Sequence, residues 1–162
     1  MADTAAVDRL DEPVTVESMV DDLRDLGVAP GETVLAHSSL SALGWVAGGA
    51  QAVVDALQAA VTADGTLVMP THSSQYSNPH NWSNPPVPDD WIPKIRASMP
   101  AYRPDVTPTR DVGTIPELFR TYPGVVRSDH PVYSFAAWGA GAESIVADHA
   151  LDNGLGERSP LA

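Results

Sequence analysis

The sequence contains no cysteine, and Lys94 is its only lysine. Without thiols, disulfide scaffolds, cysteine-based zinc sites and thiol catalysis are excluded. No apolar run approaches the roughly 18–20 residues that a membrane helix needs. The first ten residues are acidic and lack the apolar core of a secretory signal, so the expected location is cytoplasmic. Cations are scarce: 21 Asp and Glu face 9 Lys and Arg, for a net charge of −12. Phosphate backbones would be repelled, which argues against nucleic acid. A cationic small molecule would be attracted from a distance, although adaptation to high salt gives the same balance. Apolar residues still make up 43% of the 162 residues, enough to build one domain with a real core.

Two kinds of stretch alternate along that chain. Residues 1–14 show no period and are expected to fray. Thr15 then opens a helix on which Val16, Met19, Val20, Leu23 and Leu26 share a face, with Gly27 as the stop. Residues 33–37 read as a short buried strand, 38–49 as a small-residue loop, 50–61 as a second amphipathic helix and 66–69 as another buried strand. Strand, helix, strand at this spacing is a βαβ unit with parallel pairing. Residues 70–112 break the pattern. They hold nine of the fifteen prolines, together with Tyr76, Trp82, Trp91 and Tyr102. A helix over 91–99 fits there, with Pro93 in its first turn. Thr114 is placed to cap a helix reaching Tyr122, residues 132–138 are strand-like, and 140–149 suit a last helix. The expected fold class is α/β: three layers, a partly parallel sheet built on βαβ units, and a long aromatic loop insertion. Residues 15–162 form a single domain in this reading.

The chemistry-bearing residues fall in three places. The loop His37-Ser38-Ser39-Leu40-Ser41 leaves a strand end, where α/β folds bind ligands. Small residues let backbone N–H groups approach a phosphate, and the following helix N-terminus adds partial positive charge. The spacing matches neither a Walker A loop nor G-x-G-x-x-G. Arg127 and Ser128 form a second candidate, because a guanidinium fork suits phosphate. The five histidines show no metal-ligand spacing, so no metal is expected. No G-x-S-x-G elbow is present, which disfavours an α/β-type serine hydrolase.

Several blocks together resemble one family. His37 to Ala50 is similar to the H-x-S-L-x-x-x-G-x-V-x-G-G-A block of the aminoglycoside N(3)-acetyltransferases. Asp64-Gly65-Thr66-Leu67-Val68-Met69-Pro70-Thr71 also resembles this family. Arg127-Ser128-Asp129-His130-Pro131 with Ser134 to Gly139 resembles its R-S-x-H-P-x-x-S-x-x-A-x-G run, and His149 to Leu161 its H-x-L-x-x-G-x-G-x-x-S-P segment. Asn78-Pro79-His80-Asn81-Trp82 is closer to the bacillus-type branch. The resemblance implies acetyl transfer from acetyl-CoA to the 3-amino group of a 2-deoxystreptamine aminoglycoside. It places the coenzyme on His37, Ser38, Ser39, Leu40, Ser41, Arg127 and Ser128. The acceptor, a small cationic aminosugar, is expected near Thr71, His72 and Tyr76 within the aromatic loop. The family's T-x-x-H-x-x-E motif, which implies the general base, has no match in this sequence, so the base is unassigned. The helix opening Ser159-Pro160 stands two residues from the last residue given, as if the family's C-terminal part were missing. Acylation of a different amine and a non-catalytic coenzyme-binding domain remain as alternatives.

Overall fold

A computed structural model of the chain describes residues 4–162. Helix α1 spans Thr4–Val7 and α2 Val16–Asp25. Strand β1 covers Thr33–Leu35, and α3 (Leu40–Leu43) and α4 (Gly49–Val61) lead to β2, Thr66–Pro70. The long excursion that follows contains three 3-10 turns and α5, Ile92–Ser98. Helix α6 (Thr114–Phe119), strands β3 (Val126–Arg127) and β4 (Phe135–Gly139), and α7 (Ala142–Val146) complete the order.

Local chemistry accounts for the regular part. Thr15 Oγ1 accepts from the Ser18 N–H (3.1 Å) and Ser18 Oγ accepts from the Thr15 N–H (3.0 Å), a reciprocal cap that starts α2 where expected. The four strands form one sheet in the order β1-β2-β4-β3. β1 and β2 are parallel, with Thr33 opposite Thr66, while β4 runs antiparallel to both β2 and β3. The sheet is therefore mixed, with helices on both faces. Alternation along β2 sends Leu67 and Met69 to one face, where they meet Val54, Val61, Ile115 and Phe119. Val68 points the other way, into a smaller cluster with Phe135, Ala137 and Ala142 under α7.

Several expectations are corrected. β1 is an edge strand with Thr33 and Leu35 exposed, so it is not buried. The loop 38–49 contains the helical turn α3. Gly113, at φ 87°, takes the cap position of α6, so Thr114 is the first helical residue. The last two elements are shorter than the patterns at 132–138 and 140–149. Residues 1–3 of the segment expected to fray lie outside the described residues. Residues 4–14 instead pack on the loop after β1. Val14 bridges Val46, Ala6 is buried, and Arg9 Nη2 donates to the Ser41 carbonyl at 3.2 Å.

Candidate active site

Strand direction decides which residues meet. Parallel β1 and β2 end at the same sheet edge, and antiparallel β4 begins there, with Pro70 opposite Phe135. The edge therefore collects the loop from His37, the exit at Thr71 and His72, and the approach over 128–134.

At one end of this edge lies a cleft of about 710 Å³. Ser38, Ser39, Leu40 and Ser41 form one side, with Gly49 at the N-terminus of α4; Asp111, Val112, Gly113 and Thr114 also line it. Ser39 and Ser41 hydroxyls lie 3.2 Å apart. Ser38 Oγ is buried without a hydrogen-bond partner. A buried hydroxyl in that state has unused donor and acceptor capacity. Gly49 opens thirteen-residue α4, so the partial positive charge of that helix end lies beside the same space. Hydroxyl donors beside a helix N-terminus are chemically suited to an anion. His37 is exposed and lines a neighbouring apolar groove with Met19, Leu23 and Leu57, so it stands beside the cleft and not within it.

Arg127 and Ser128 do not join this cleft. β3 sits at the far edge of the sheet, three strand spacings or about 14 Å from β1. The Arg127 guanidinium directs all five of its N–H groups to the protein itself. Nε donates to Ser134 Oγ (3.1 Å), Nη1 to the carbonyls of Pro104 (3.1 Å) and Thr107 (2.6 Å), and Nη2 to the Thr71 carbonyl (2.6 Å) and Ser73 Oγ (2.7 Å). It also lies 5.3 Å from the centre of the Tyr102 ring. Its fork is filled, which corrects the expectation of a free anion ligand. Ser128 is 1% exposed. Its hydroxyl accepts from the Phe135 N–H (3.0 Å) and donates to His149 Nδ1 (2.9 Å). Thr71 is wholly buried, and its carbonyl accepts from both Arg127 and Ser134. Arg127, Ser128 and Thr71 are thus one internal knot that ties the long excursion to the sheet. Glu117 and Arg120 tie it a second time. Burial pushes the Glu117 pKa up, but hydrogen bonds from Arg120 and from the Thr109 N–H prevail and hold it at about 2.

Beside the knot the fold gathers histidines that looked scattered in sequence. The His72 ring meets Tyr133 and Phe135 edge-on, at 5.6 and 5.3 Å between centres, and its Nε2 is buried without a partner. Burial and the nearby His37, His130 and His149 lower its pKa. His130 Nδ1 accepts from the N–H groups of Val132 (3.1 Å) and Tyr133 (2.9 Å), and burial first, then His149, lowers its pKa. His149 Nε2 donates to the Gly154 carbonyl at 2.7 Å, and its Nδ1 lies 2.9 Å from Ser128 Oγ. A side chain at Gly154 would collide with Tyr133 and His130, so the 150–158 loop lies tight on this cluster. Among the described residues, no three potential ligands are placed to hold a metal ion. No helix among them is long and apolar enough to cross a membrane.

The aromatic excursion holds its own cavity, of about 320 Å³, lined by Ser74, Ser77, Asn81, Trp82, Asn84 and Arg110 among others. Trp82 Nε1 donates to Ser77 Oγ (3.0 Å), which fixes the indole plane. Tyr76 does not line this cavity; its ring packs edge-on against Tyr102, 5.9 Å away. Two residues missed in sequence stand out. Arg9 brings a cation to the serine loop, and Asp111 lines both the serine cleft and the aromatic cavity. Neither sits in a periodic stretch, so no pattern announced them.

Comparison with known proteins fixes the class. The model of the aminoglycoside 3-N-acetyltransferase family matches residues 35–162. The chain belongs to that family. It is 55% identical over 150 residues to the SPbeta prophage-derived aminoglycoside N(3')-acetyltransferase-like protein YokD of Bacillus subtilis, covering 92% of this chain and 55% of that one. The crystal structure of YokD superimposes with a TM-score of 0.93 at 52% identity, over 97% of this chain and 58% of the other. The AAC-IIIb complex with CoASH gives 0.79 at 35% identity, over 93% and 55%. AAC-VIa bound to sisomicin also gives 0.79, at 39% identity over 92% and 55%. The chain spans about half the length of the relatives it matches.

Proposed function

We propose that this chain forms the coenzyme side of an acetyltransferase that moves an acetyl group from acetyl-CoA to the 3-amino group of a 2-deoxystreptamine aminoglycoside. The observation that carries this reading is the serine cleft, where Ser38 Oγ is buried without a partner beside the N-terminus of α4. Such a cleft fits the diphosphate of CoA. A structural relative was crystallised with CoASH and another with sisomicin. The chemistry has clear requirements. The acceptor nitrogen loses a proton, its lone pair forms the new C–N bond, the C–S bond breaks, and the coenzyme leaves as thiol. Holding the thioester in attack range is worth several kcal/mol of barrier. Donors aimed at the thioester oxygen stabilise the developing oxyanion. The cleft supplies the first, and backbone N–H groups near Ser39 and Leu40 supply the second. The acidic chain attracts a polycation.

The proton acceptor is unassigned among the described residues. The His130 Nδ1 lone pair already accepts two N–H groups and both ring nitrogens of His149 are bonded, so neither is free to act as base. Calorimetry with CoA tests the reading: binding is expected, and no heat at millimolar coenzyme contradicts it. In a thiol-release assay with acetyl-CoA and sisomicin, turnover is expected to stay about 10²–10⁴-fold below that of a full-length relative, the usual worth of a general base. Turnover within tenfold would place the base inside these residues.

A further inference from the structure

Asp111 is the one described residue that lines both the serine cleft and the aromatic cavity. Resting on the function proposed above, we infer that its carboxylate anchors an ammonium group of the acceptor at the junction of coenzyme and sugar. The geometry is specific. Ser74 Oγ donates to Asp111 Oδ2 at 2.7 Å and fixes the carboxylate from the aromatic side. Arg110 Nε forms a long, exposed ion pair with the same oxygen at 3.8 Å, while Arg110 Nη2 is held by the Asn84 carbonyl at 2.9 Å. The carboxylate side chain remains 74% exposed, open to a ligand. Its backbone sits at φ 64°, a left-handed conformation that Asp and Asn adopt more readily than most residues.

The chemistry also says which amine is held. A carboxylate favours the charged form of a neighbouring amine. The nitrogen that attacks the thioester must be neutral. Asp111 therefore suits a spectator ammonium next to the reacting one, and it sets the orientation of the ring without taking the proton. Trp82, which lines the same cavity, offers an apolar face for the sugar. Because Asp111 also borders the coenzyme cleft, its charge does nothing to attract the diphosphate. The diphosphate belongs nearer Ser38–Ser41, with the acyl end toward Asp111.

Calorimetry on the 162-residue chain separates the claims, with sisomicin and CoA titrated independently into the wild type, D111N and D111E. Asn keeps the left-handed backbone, so D111N is expected to fold, and a cooperative thermal melt close to that of the wild type verifies this. Sisomicin affinity is expected to fall about 10- to 100-fold in D111N, the usual worth of a charge-assisted hydrogen bond. D111E is expected to recover part of it, and the salt dependence of binding should flatten in D111N. Sisomicin bound by D111N as tightly as by the wild type overturns the inference and leaves the function standing. CoA binding without sisomicin binding by the wild type also overturns it. A wild type that binds neither ligand overturns the function itself.

Discussion

The two serine-bearing loops at the sheet edge look alike in sequence and do opposite things in the fold. Both Ser38–Ser41 and Arg127–Ser128 combine hydroxyls with a route to positive charge. In the first, the hydroxyls face a cleft, and Ser38 Oγ has no partner. In the second, every donor of Arg127 is matched to a carbonyl or hydroxyl of the same chain. The stronger anion ligand by residue type is the one with nothing left to give. Availability of donors, set by topology, decides what binds. β1 and β3 lie at opposite edges of one sheet, roughly 14 Å apart across three strand spacings.

The sharpest way to break this contrast is to remove the guanidinium. Arg127→Met should cost about 3–5 kcal/mol of stability, because four buried acceptors lose charged partners at once. At this size that is a drop in Tm of roughly 10 °C or more, read by thermal melting. Folded R127M at low temperature should still bind CoA within a few-fold of wild type. Undiminished stability with lost CoA affinity would make Arg127 a coenzyme ligand after all.

A smaller effect is expected from His130, on the same side as the knot. Its pKa is lowered in the folded state by burial and by His149, so below pH 6.5 the unfolded chain takes up more protons than the folded one. Stability is complete above pH 6.5 and is lost progressively as the pH falls below it. His130→Asn keeps an acceptor near the Val132 and Tyr133 N–H groups and should flatten this slope in urea melts between pH 7.5 and 5.5. An unaltered slope would assign it to another group.

The sequence reading succeeded where periodicity had room to act. The α2 and α4 faces, the β2 run and the parallel pairing of β1 with β2 all follow from apolar patterning over four residues or more. Two-residue β3 was invisible because no period fits in two residues. The edge position of β1 depends on which strands join the sheet, and no local pattern records that. The partners of Arg127 lie at positions 71, 73, 104, 107 and 134, so the filled fork was legible only once these segments met in space. The histidine cluster has the same cause. Positions 37, 72, 130 and 149 are far apart in sequence, but strand direction brings three of them, 72, 130 and 149, side by side. The place of the serine loop between β1 and α4 was legible because apolar patterning flanks it on both sides.

A crystal structure of the chain with CoA tests the central claim most directly. The diphosphate should lie within hydrogen-bond distance of hydroxyls or backbone N–H groups of residues 38–41, while Arg127 keeps its five internal bonds. A diphosphate seated instead on Arg127 and Ser128, with the Thr71, Ser73, Pro104 and Thr107 contacts released, would contradict the account.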